Sequence, residues 1–199
     1  MWSWLRGAAN MIALDFDGTV ADTIPSLTKA AVEAIARHYG LGPDVSVPLY
    51  RATLGVPFLA QLNELFPEHG LINIEAAREF ESTKDELVPA AGIFPGAREL
   101  LETGVAVIVS SSRTKLIAEF LRRHDLDAQV FGARTMGENP KVEALRQLDP
   151  RLFVGDAPRD AMCAAQAGVP FLAVEHTFSR AVFAELGLHS VRSLTEIRR

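Results

Sequence analysis

The stretch that decides the fold is Met11-Ile12-Ala13-Leu14-Asp15-Phe16-Asp17-Gly18-Thr19, residues 11–19. Four apolar residues are followed at once by a turn that contains two carboxylates and a glycine. This pattern predicts a short buried strand that ends at Asp15. A similar change from apolar to polar residues follows positions 105–109 and 152–154. We therefore interpret residues 11–14 as the first of several buried strands whose ends carry polar side chains.

Outward from this stretch, the chain divides into two kinds of segment. Apolar residues recur at helical spacing from residue 24 to about residue 92, and no convincing strand interrupts them. After Pro95, short apolar strands alternate with helices to the end of the chain, which predicts a parallel sheet with helices on both faces. The predicted fold class is α/β. The predicted domains are a core of residues 1–23 and 93–199 and a small helical cap of residues 24–92 inserted after the first strand.

Composition narrows the class of protein. Apolar residues make up 48% of the 199 residues, which is typical of a packed globular protein. The net charge of −5 favours neither nucleic acid nor an anionic membrane as a partner, and no apolar run is long enough to span a bilayer. The single cysteine, Cys163, favours a reducing, cytoplasmic location. We interpret Trp2 and Trp4 as residues that pack locally against the core.

Polar residues with metal-binding and phosphate-binding chemistry follow the predicted strands. Each residue alone has an ordinary interpretation, such as a helix cap, a turn or a solvated charge. Together they would meet at the carboxyl edge of the sheet, where open parallel sheets bind ligands. Clustered carboxylates repel one another and need a cation, and hard oxygen ligands without histidine or cysteine suit Mg²⁺. The residues of this predicted cluster are Asp15, Asp17, Ser110, Lys141, Asp156 and Asp160.

These residues resemble the four motifs of the haloacid dehalogenase superfamily. Residues 15–23 resemble its first motif, DxDGT(x)nD(S/T), and residues 155–160 resemble its fourth motif, GDxxxD. Ser110 resembles the second motif and Lys141 the third. Many relatives carry proline after the lysine of the third motif, whereas here Pro140 precedes it. The resemblance covers nearly the whole chain and implies a Rossmann-like core with a helical cap.

The resemblance implies a magnesium-dependent phosphatase with a transient aspartyl-phosphate. Asp15 would be the nucleophile, Asp17 the general acid and base, and Ser110 with Lys141 would hold the phosphoryl oxygens. Mg²⁺ would bind the Asp15 and Asp156 carboxylates and the Asp17 backbone carbonyl, with Asp160 as a ligand directly or through water. The remaining predicted substrate-binding residues are Gly18, Thr19, Ser111, Arg51 and Phe58, the last two from the cap.

Sequence features separate the branches of this superfamily. Asp17 favours phosphate-ester chemistry, because the dehalogenase and phosphonatase branches lack an aspartate there. The sugar-phosphate mutase branch places a histidine near Leu27 and an arginine near Phe58, and both are absent here. Residues 22–25 are most similar to the phosphoglycolate phosphatase branch, so the predicted substrate is a small phosphorylated metabolite. A mutase and a non-catalytic binding protein are the alternatives. The sequence does not indicate an oligomeric state.

Overall fold

The computed structural model describes residues 11–197, and the interpretation of Trp2 and Trp4 lies outside that range. Within it, strands and helices alternate after an early helical stretch. The strands are β1 (Ile12–Leu14), β2 (Ala21–Asp22), β3 (Gly92–Ile93), β4 (Ala106–Arg113), β5 (Val130–Ala133), β6 (Leu152–Gly155), β7 (Phe171–Val174) and β8 (Ser190–Val191). The helices are α1 (Ile24–Tyr39), α2 (Pro43–Ala52), α3 (Phe58–Leu65), α4 (Gly70–Leu87), α5 (Ala97–Glu102), α6 (Thr114–Arg123), α7 (Lys141–Leu148), α8 (Pro158–Ala167) and α9 (Arg180–Glu185).

The main sheet of the described residues has six strands in the order β5-β4-β1-β6-β7-β8. All neighbouring strands are parallel, and β1 lies between β4 and β6, with Ala13 opposite Val107 on one side and Phe153 on the other. Parallel strands point their carboxyl ends to the same edge. The residues that follow β1 therefore lie at the middle of that edge. The predicted α/β fold class is confirmed.

The apolar runs in the sequence predicted where the strands lie more accurately than how long the strands are. The second predicted strand, residues 105–109, is observed as β4, which continues through Ser110 and Ser112 to Arg113 with a register shift against β5. The strand continues through polar residues because the backbone of the neighbouring strand forms hydrogen bonds with it. The hydrophobicity of the sequence does not indicate these backbone hydrogen bonds. The sequence analysis did not predict β2, β3, α9 or β8.

The four helices α1 to α4, hereafter the cap segment, leave and rejoin the sheet at one place. The short strands β2 and β3 flank this segment and pair with each other in antiparallel fashion, with Ala21 opposite Ile93 and Asp22 opposite Gly92. The predicted boundaries at residues 23/24 and 92/93 lie beside this pair. The division into two separate domains stays a prediction.

The sheet is buried on both faces. Successive residues of β1 point to opposite faces, so Ile12 and Leu14 join one apolar cluster and Ala13 joins another. Phe16 continues the first cluster past the end of β1, where its ring meets Phe120 of α6 edge to face at a centroid distance of 5.1 Å. This contact anchors the turn between Asp15 and Asp17 to the core. None of the helices described is long and apolar enough to cross a membrane.

Truncation of the Phe120 side chain tests whether its contact with Phe16 anchors the turn between Asp15 and Asp17. The ring is fully buried, so Phe120→Ala removes apolar contacts and leaves a cavity, and we expect the free energy of unfolding to fall by about 3–5 kcal/mol. Leu186→Ala is the matched control, because Leu186 is 55% exposed and its loss should change stability by less than about 0.5 kcal/mol. Urea unfolding followed by circular dichroism measures both. Equal midpoints for the two variants would contradict this packing assignment.

Candidate active site

Three buried carboxylates meet at the carboxyl edge of the sheet. Asp15 follows β1, Asp156 follows β6 and Asp160 lies in the first turn of α8; one oxygen of each lies within 4.8 Å of the others. Burial, and then the Asp160 carboxylate, raise the pKa of Asp15 to about 7. Burial, and then the Asp160 and Asp15 carboxylates, raise the pKa of Asp156 well above its usual value. The cluster therefore resists carrying its full negative charge without a cation.

Lys141 supplies one positive charge inside this cluster. It is the first residue of α7, is 1% exposed, and its Nζ lies 2.6 Å from Asp160 Oδ1 and 3.0 Å from Asp15 Oδ1. Burial opposes the charged form, but the two carboxylates outweigh it and raise the pKa of Lys141. The other oxygen of Asp160 accepts a hydrogen bond from the Ala157 backbone at 3.1 Å. Both oxygens of Asp160 are thus engaged, which fits the indirect, water-mediated form of its predicted role.

Asp15 retains an oxygen that no hydrogen bond satisfies. Among the described residues, no donor reaches Asp15 Oδ1 in hydrogen-bond geometry, and the 3.0 Å approach of Lys141 is an ion pair only. A buried, unsatisfied carboxylate oxygen is costly unless a further group binds it. Asp17 lies nearby and is paired with a second lysine, Lys84. When all groups are ionised, these four carboxylates and two lysines leave two excess negative charges. Divalent charge and an all-oxygen donor set fit Mg²⁺.

Asp17 is held by three donors from different elements. Its Oδ1 accepts a hydrogen bond from Thr23 Oγ1 at 2.9 Å, and its Oδ2 contacts Lys84 Nζ at 3.0 Å and the Ser112 hydroxyl. Lys84 Nζ also donates to Ser112 Oγ at 2.6 Å. Burial acts to raise the pKa of Asp17, but Lys84, Ser112 and Thr23 together hold it below its usual value. The Asp17 side chain is thus held apart from the three clustered carboxylates.

Gly18 and Thr19 support Asp156 at close range. Thr19 Oγ1 is fully buried and donates to Asp156 Oδ1 at 3.1 Å. Gly18 has φ +79°, and a Cβ there would overlap Asp156 Oδ2 and lie 2.6 Å from its Cγ. The hydroxyl of Thr19 is therefore engaged with Asp156 and is not free for a substrate. The turn needs glycine both for its backbone angle and for the close approach of Asp156.

An enclosed cavity of about 50 Å³ lies between the sheet edge and the cap segment. That volume admits roughly four water-sized groups. Ser110 and Ser111 line it from β4, and Ser110 Oγ accepts a hydrogen bond from the Ser112 backbone at 3.0 Å. Phe58 lines it from the cap segment and is 2% exposed. Asp15, Asp17, Lys141 and Asp156 also face this cavity.

Of the predicted substrate-binding residues, Gly18, Thr19 and Arg51 do not line this cavity. Arg51 donates from Nη2 to the Thr177 carbonyl at 2.9 Å, and its guanidinium lies 5.5 Å from the Phe178 ring centroid. Adjacent residues on a helix point about 100° apart. Tyr50 faces the cavity from α2, so Arg51 is turned away from it. Arg51 therefore lies outside the cavity wall, and its role in substrate binding stays a prediction.

The sequence analysis missed Lys84 and Ser112, although the helical spacing of apolar residues around Lys84 indicates that this lysine is buried. The buried residues of α4 are Asn73, Ala76, Ala77, Phe80 and Lys84. Lys84 therefore continues the apolar stripe of this helix at a spacing of four from Phe80. A lysine in a buried stripe indicates a partner of opposite charge. Ser112 carries no such signal, because serines after a strand usually form turns.

Comparison with known proteins identifies the family. The family model described as haloacid dehalogenase-like hydrolase matches residues 12–174, most of the chain. The chain belongs to the haloacid dehalogenase-like hydrolase family. It is 26% identical to phosphoglycolate phosphatase of Rhodospirillum rubrum over 90% of this chain and 85% of that protein. It is 29% identical to phosphoglycolate phosphatase of Synechococcus elongatus over 84% of each chain.

A solved structure shows the same fold. A protein of Bacteroides fragilis, named as a haloacid dehalogenase-like hydrolase, superposes with a TM-score of 0.74 at 22% identity over 94% of this chain and 98% of that one. The family model and the sequence relatives confirm the predicted family and its phosphoglycolate phosphatase-like branch. The prediction that this haloacid dehalogenase-like hydrolase is an enzyme of the phosphatase class is confirmed as well.

Gly18→Ala tests the close approach to Asp156. A methyl group at Gly18 would displace the Asp156 carboxylate, so we expect the affinity for Mg²⁺, measured by isothermal titration calorimetry, to fall at least tenfold. Gly104→Ala is the matched control: Gly104 also has a positive φ, +70°, but a Cβ there meets nothing within 4 Å. The control should lose only about 1 kcal/mol of stability and keep its metal affinity. An unchanged affinity in Gly18→Ala would show that Asp156 tolerates displacement.

Proposed function

We propose that this chain is a magnesium-dependent phosphatase that hydrolyses a small phosphorylated metabolite through an aspartyl-phosphate, as the phosphoglycolate phosphatase-like branch implies. The observation that carries the proposal is Asp15: a buried carboxylate at the centre of the sheet edge, with one oxygen that lacks a hydrogen-bond donor and a lysine 3.0 Å away. Asp17 stands two residues further along the same turn. A nucleophile and a separate acid–base group are what phosphate transfer in two steps requires.

In the first step, an oxygen of ionised Asp15 attacks the phosphorus of the ester. A bond forms between Asp15 and phosphorus while the bond from phosphorus to the ester oxygen breaks. The leaving oxygen takes the electron pair of that bond and a proton from Asp17, and an alcohol departs. This step requires the acid form of Asp17, which the negative charge of a bound phosphate would favour against the donors that lower its pKa. The contact of Phe16 with Phe120 anchors the turn that carries both carboxylates.

In the second step, Asp17 returns to its acid form. Its carboxylate takes a proton from a water molecule while the water oxygen attacks phosphorus. The bond to Asp15 breaks, Asp15 regains its electron pair, and inorganic phosphate is released. Thr23, Lys84 and Ser112 orient Asp17 for both proton transfers.

The residues proposed to hold Mg²⁺ are the carboxylates of Asp15 and Asp156 and the backbone carbonyl of Asp17, with Asp160 behind them. When bound, the ion would supply positive charge to the phosphoryl oxygens and favour the ionised form of Asp15. Lys141, which lies 3.0 Å from Asp15, and Ser110, which lines the same cavity, would donate to the same oxygens. Ser111 and the backbone at Gly18 are the remaining proposed phosphate contacts.

The two alternatives predict different behaviour. A mutase would transfer the phosphoryl group to a second hydroxyl, but the positions for its cap histidine and arginine hold Leu27 and Phe58, which are buried apolar residues at the cavity. A non-catalytic binding protein would not need Asp17 held by three donors.

We propose the cytoplasm as the location of this protein, on the strength of the single, unpaired Cys163.

Asp15→Asn tests the nucleophile. An amide is a poor nucleophile and a poor magnesium ligand, so we expect turnover of p-nitrophenyl phosphate to fall below a few per cent of wild type while the fold persists. Asp127→Asn, on an exposed residue, is the matched control and should retain full activity. Retention of substantial activity by Asp15→Asn in a preparation free of contaminants would exclude Asp15 as the nucleophile.

Metal removal tests the cofactor. EDTA should abolish wild-type turnover and Mg²⁺ should restore it, whereas Ca²⁺ should inhibit because its larger, looser coordination shell fits in-line transfer poorly. Asp156→Ala should raise the Mg²⁺ concentration required for half-maximal activity at least tenfold. Normal turnover by a chelated, metal-free sample would contradict the metal assignment.

A further inference from the structure

The loop that follows β7 contacts the turn that follows β1. Residues 175–178, hereafter the β7 loop, lie at the same carboxyl edge of the sheet as Asp15 and Asp17. His176 Nδ1 of this loop lies 3.0 Å from the backbone carbonyl oxygen of Gly18. A carbonyl oxygen only accepts hydrogen bonds, so Nδ1 carries a proton and donates. Burial lowers the pKa of His176, which favours the neutral ring with that proton on Nδ1.

A second contact fixes the ring of His176. It stacks on Phe94, which directly follows β3, with ring centroids 3.7 Å apart and an interplanar angle of 19°. The backbone N–H of Phe94 donates to the Val20 carbonyl at 3.0 Å. Phe94 thus contacts the chain just after Gly18 through its backbone, and it holds through its ring the histidine that donates to Gly18.

The position of Gly18 affects two of the groups proposed to hold Mg²⁺. The Asp17 carbonyl belongs to the peptide group that joins Asp17 to Gly18, and the Asp156 carboxylate packs so closely on Gly18 that a Cβ there would overlap it. Glycine has the most freely rotating backbone of all residues, so this turn needs contacts that fix it. Among residues 11–197, His176 makes the only hydrogen bond to the Gly18 carbonyl.

The cap segment reaches the β7 loop through Arg51. This residue of α2 donates to the Thr177 carbonyl at 2.9 Å, and its guanidinium lies 5.5 Å from the ring centroid of Phe178. Thr177 and Phe178 directly follow His176 in the chain. A contact that holds them therefore restricts where the imidazole lies. Arg51 is exposed, so its contribution is expected to be modest.

We propose that His176 is a positioning residue for the Mg²⁺ site and that Arg51 supports it from the cap segment. The proposal rests on the proposed function, because it concerns the groups assigned there to Mg²⁺. The Nδ1–H of His176 fixes the Gly18 carbonyl and thereby keeps the Asp17 carbonyl and the Asp156 carboxylate in place. His176 acts through Gly18 and is not itself a metal ligand.

Two substitutions separate the donor of His176 from its ring. Asparagine keeps an N–H near the position of Nδ1, whereas phenylalanine keeps a ring that can stack on Phe94 and has no donor. Isothermal titration calorimetry of Mg²⁺ into metal-free protein measures both. We expect the affinity to fall about fivefold in His176→Phe and to stay within about twofold of wild type in His176→Asn. His189→Phe is the matched control, because His189 is exposed and its replacement should leave the affinity unchanged.

A double-mutant cycle tests the support from the cap segment. Arg51→Met should lower the Mg²⁺ affinity about threefold in the wild-type background and leave it unchanged in the His176→Phe background, where the donor is already lost. Arg37→Met is the matched control, because Arg37 is an exposed arginine whose partner, Glu79, belongs to the same cap segment. It should leave the affinity unchanged in both backgrounds.

Three results would overturn the proposal. The first is a wild-type Mg²⁺ affinity in His176→Phe. The second is an equal loss in His176→Phe and His176→Asn, since that would show that the ring only packs the loop. The third is an Arg51→Met effect that persists undiminished in the His176→Phe background. If His176→Phe does not fold, as judged by circular dichroism, Arg51→Met decides, and an unchanged affinity there overturns the proposal.

Turnover of p-nitrophenyl phosphate distinguishes failure of this proposal from failure of the proposed function. Magnesium-dependent hydrolysis, with an Mg²⁺ affinity that His176→Phe leaves unchanged, would leave the phosphatase function standing and overturn the role of His176. An Mg²⁺ affinity that falls in His176→Phe and is kept in His176→Asn, without hydrolysis of any ester by the wild type, would leave the role of His176 standing and overturn the phosphatase function.

Discussion

The buried contact of Lys141 with Asp15 and Asp160 is the interaction on which the site depends. It joins three elements that are distant in sequence: the turn after β1, the start of α7 and the first turn of α8. Lys141 is 1% exposed, so its charge has no access to water. Loss of either carboxylate would leave a buried charge without its full compensation, which is strongly destabilising. The same contact places a positive charge beside the proposed nucleophile.

The sheet topology explains why these elements meet. In a parallel sheet every strand delivers its following residue to the same edge, and β1 lies between β4 and β6 in the middle of the sheet. Asp15 and Asp156, which directly follow β1 and β6, are therefore neighbours although they are distant in sequence. Ser110 lies beside them within β4, two residues beyond Ile108, the partner of Leu14. Electrostatic repulsion among the carboxylates opposes this arrangement, and burial makes it stronger. The fold holds the groups together, and a divalent cation would relieve the repulsion.

Charged groups link the cap segment to the core in addition to the apolar cluster that the two share. Arg159 of α8 binds Glu64 of α3 through two hydrogen bonds of 2.6 and 2.8 Å, but Glu64 is half exposed, so this pair contributes little to stability. The contact of Lys84 with Asp17 is different, because both side chains are at least 84% buried. It links the helix that closes the cavity to the group proposed to move protons. Lys84 thus both lines the cavity and contacts the proposed acid–base group.

The sequence by itself determined the fold class, the order of strands and helices from α5 to β7, and the cluster at the sheet edge. It could do so because apolar periodicity and residues at strand ends are local properties, and because parallel strands share one carboxyl edge. Tertiary structure decided the rest. It turned Arg51 away from the cavity, since helix rotation depends on packing against the core. It also brought Lys84 to Asp17 across 67 residues, a pairing that no local pattern specifies, because a buried lysine chooses its partner only when the helices pack.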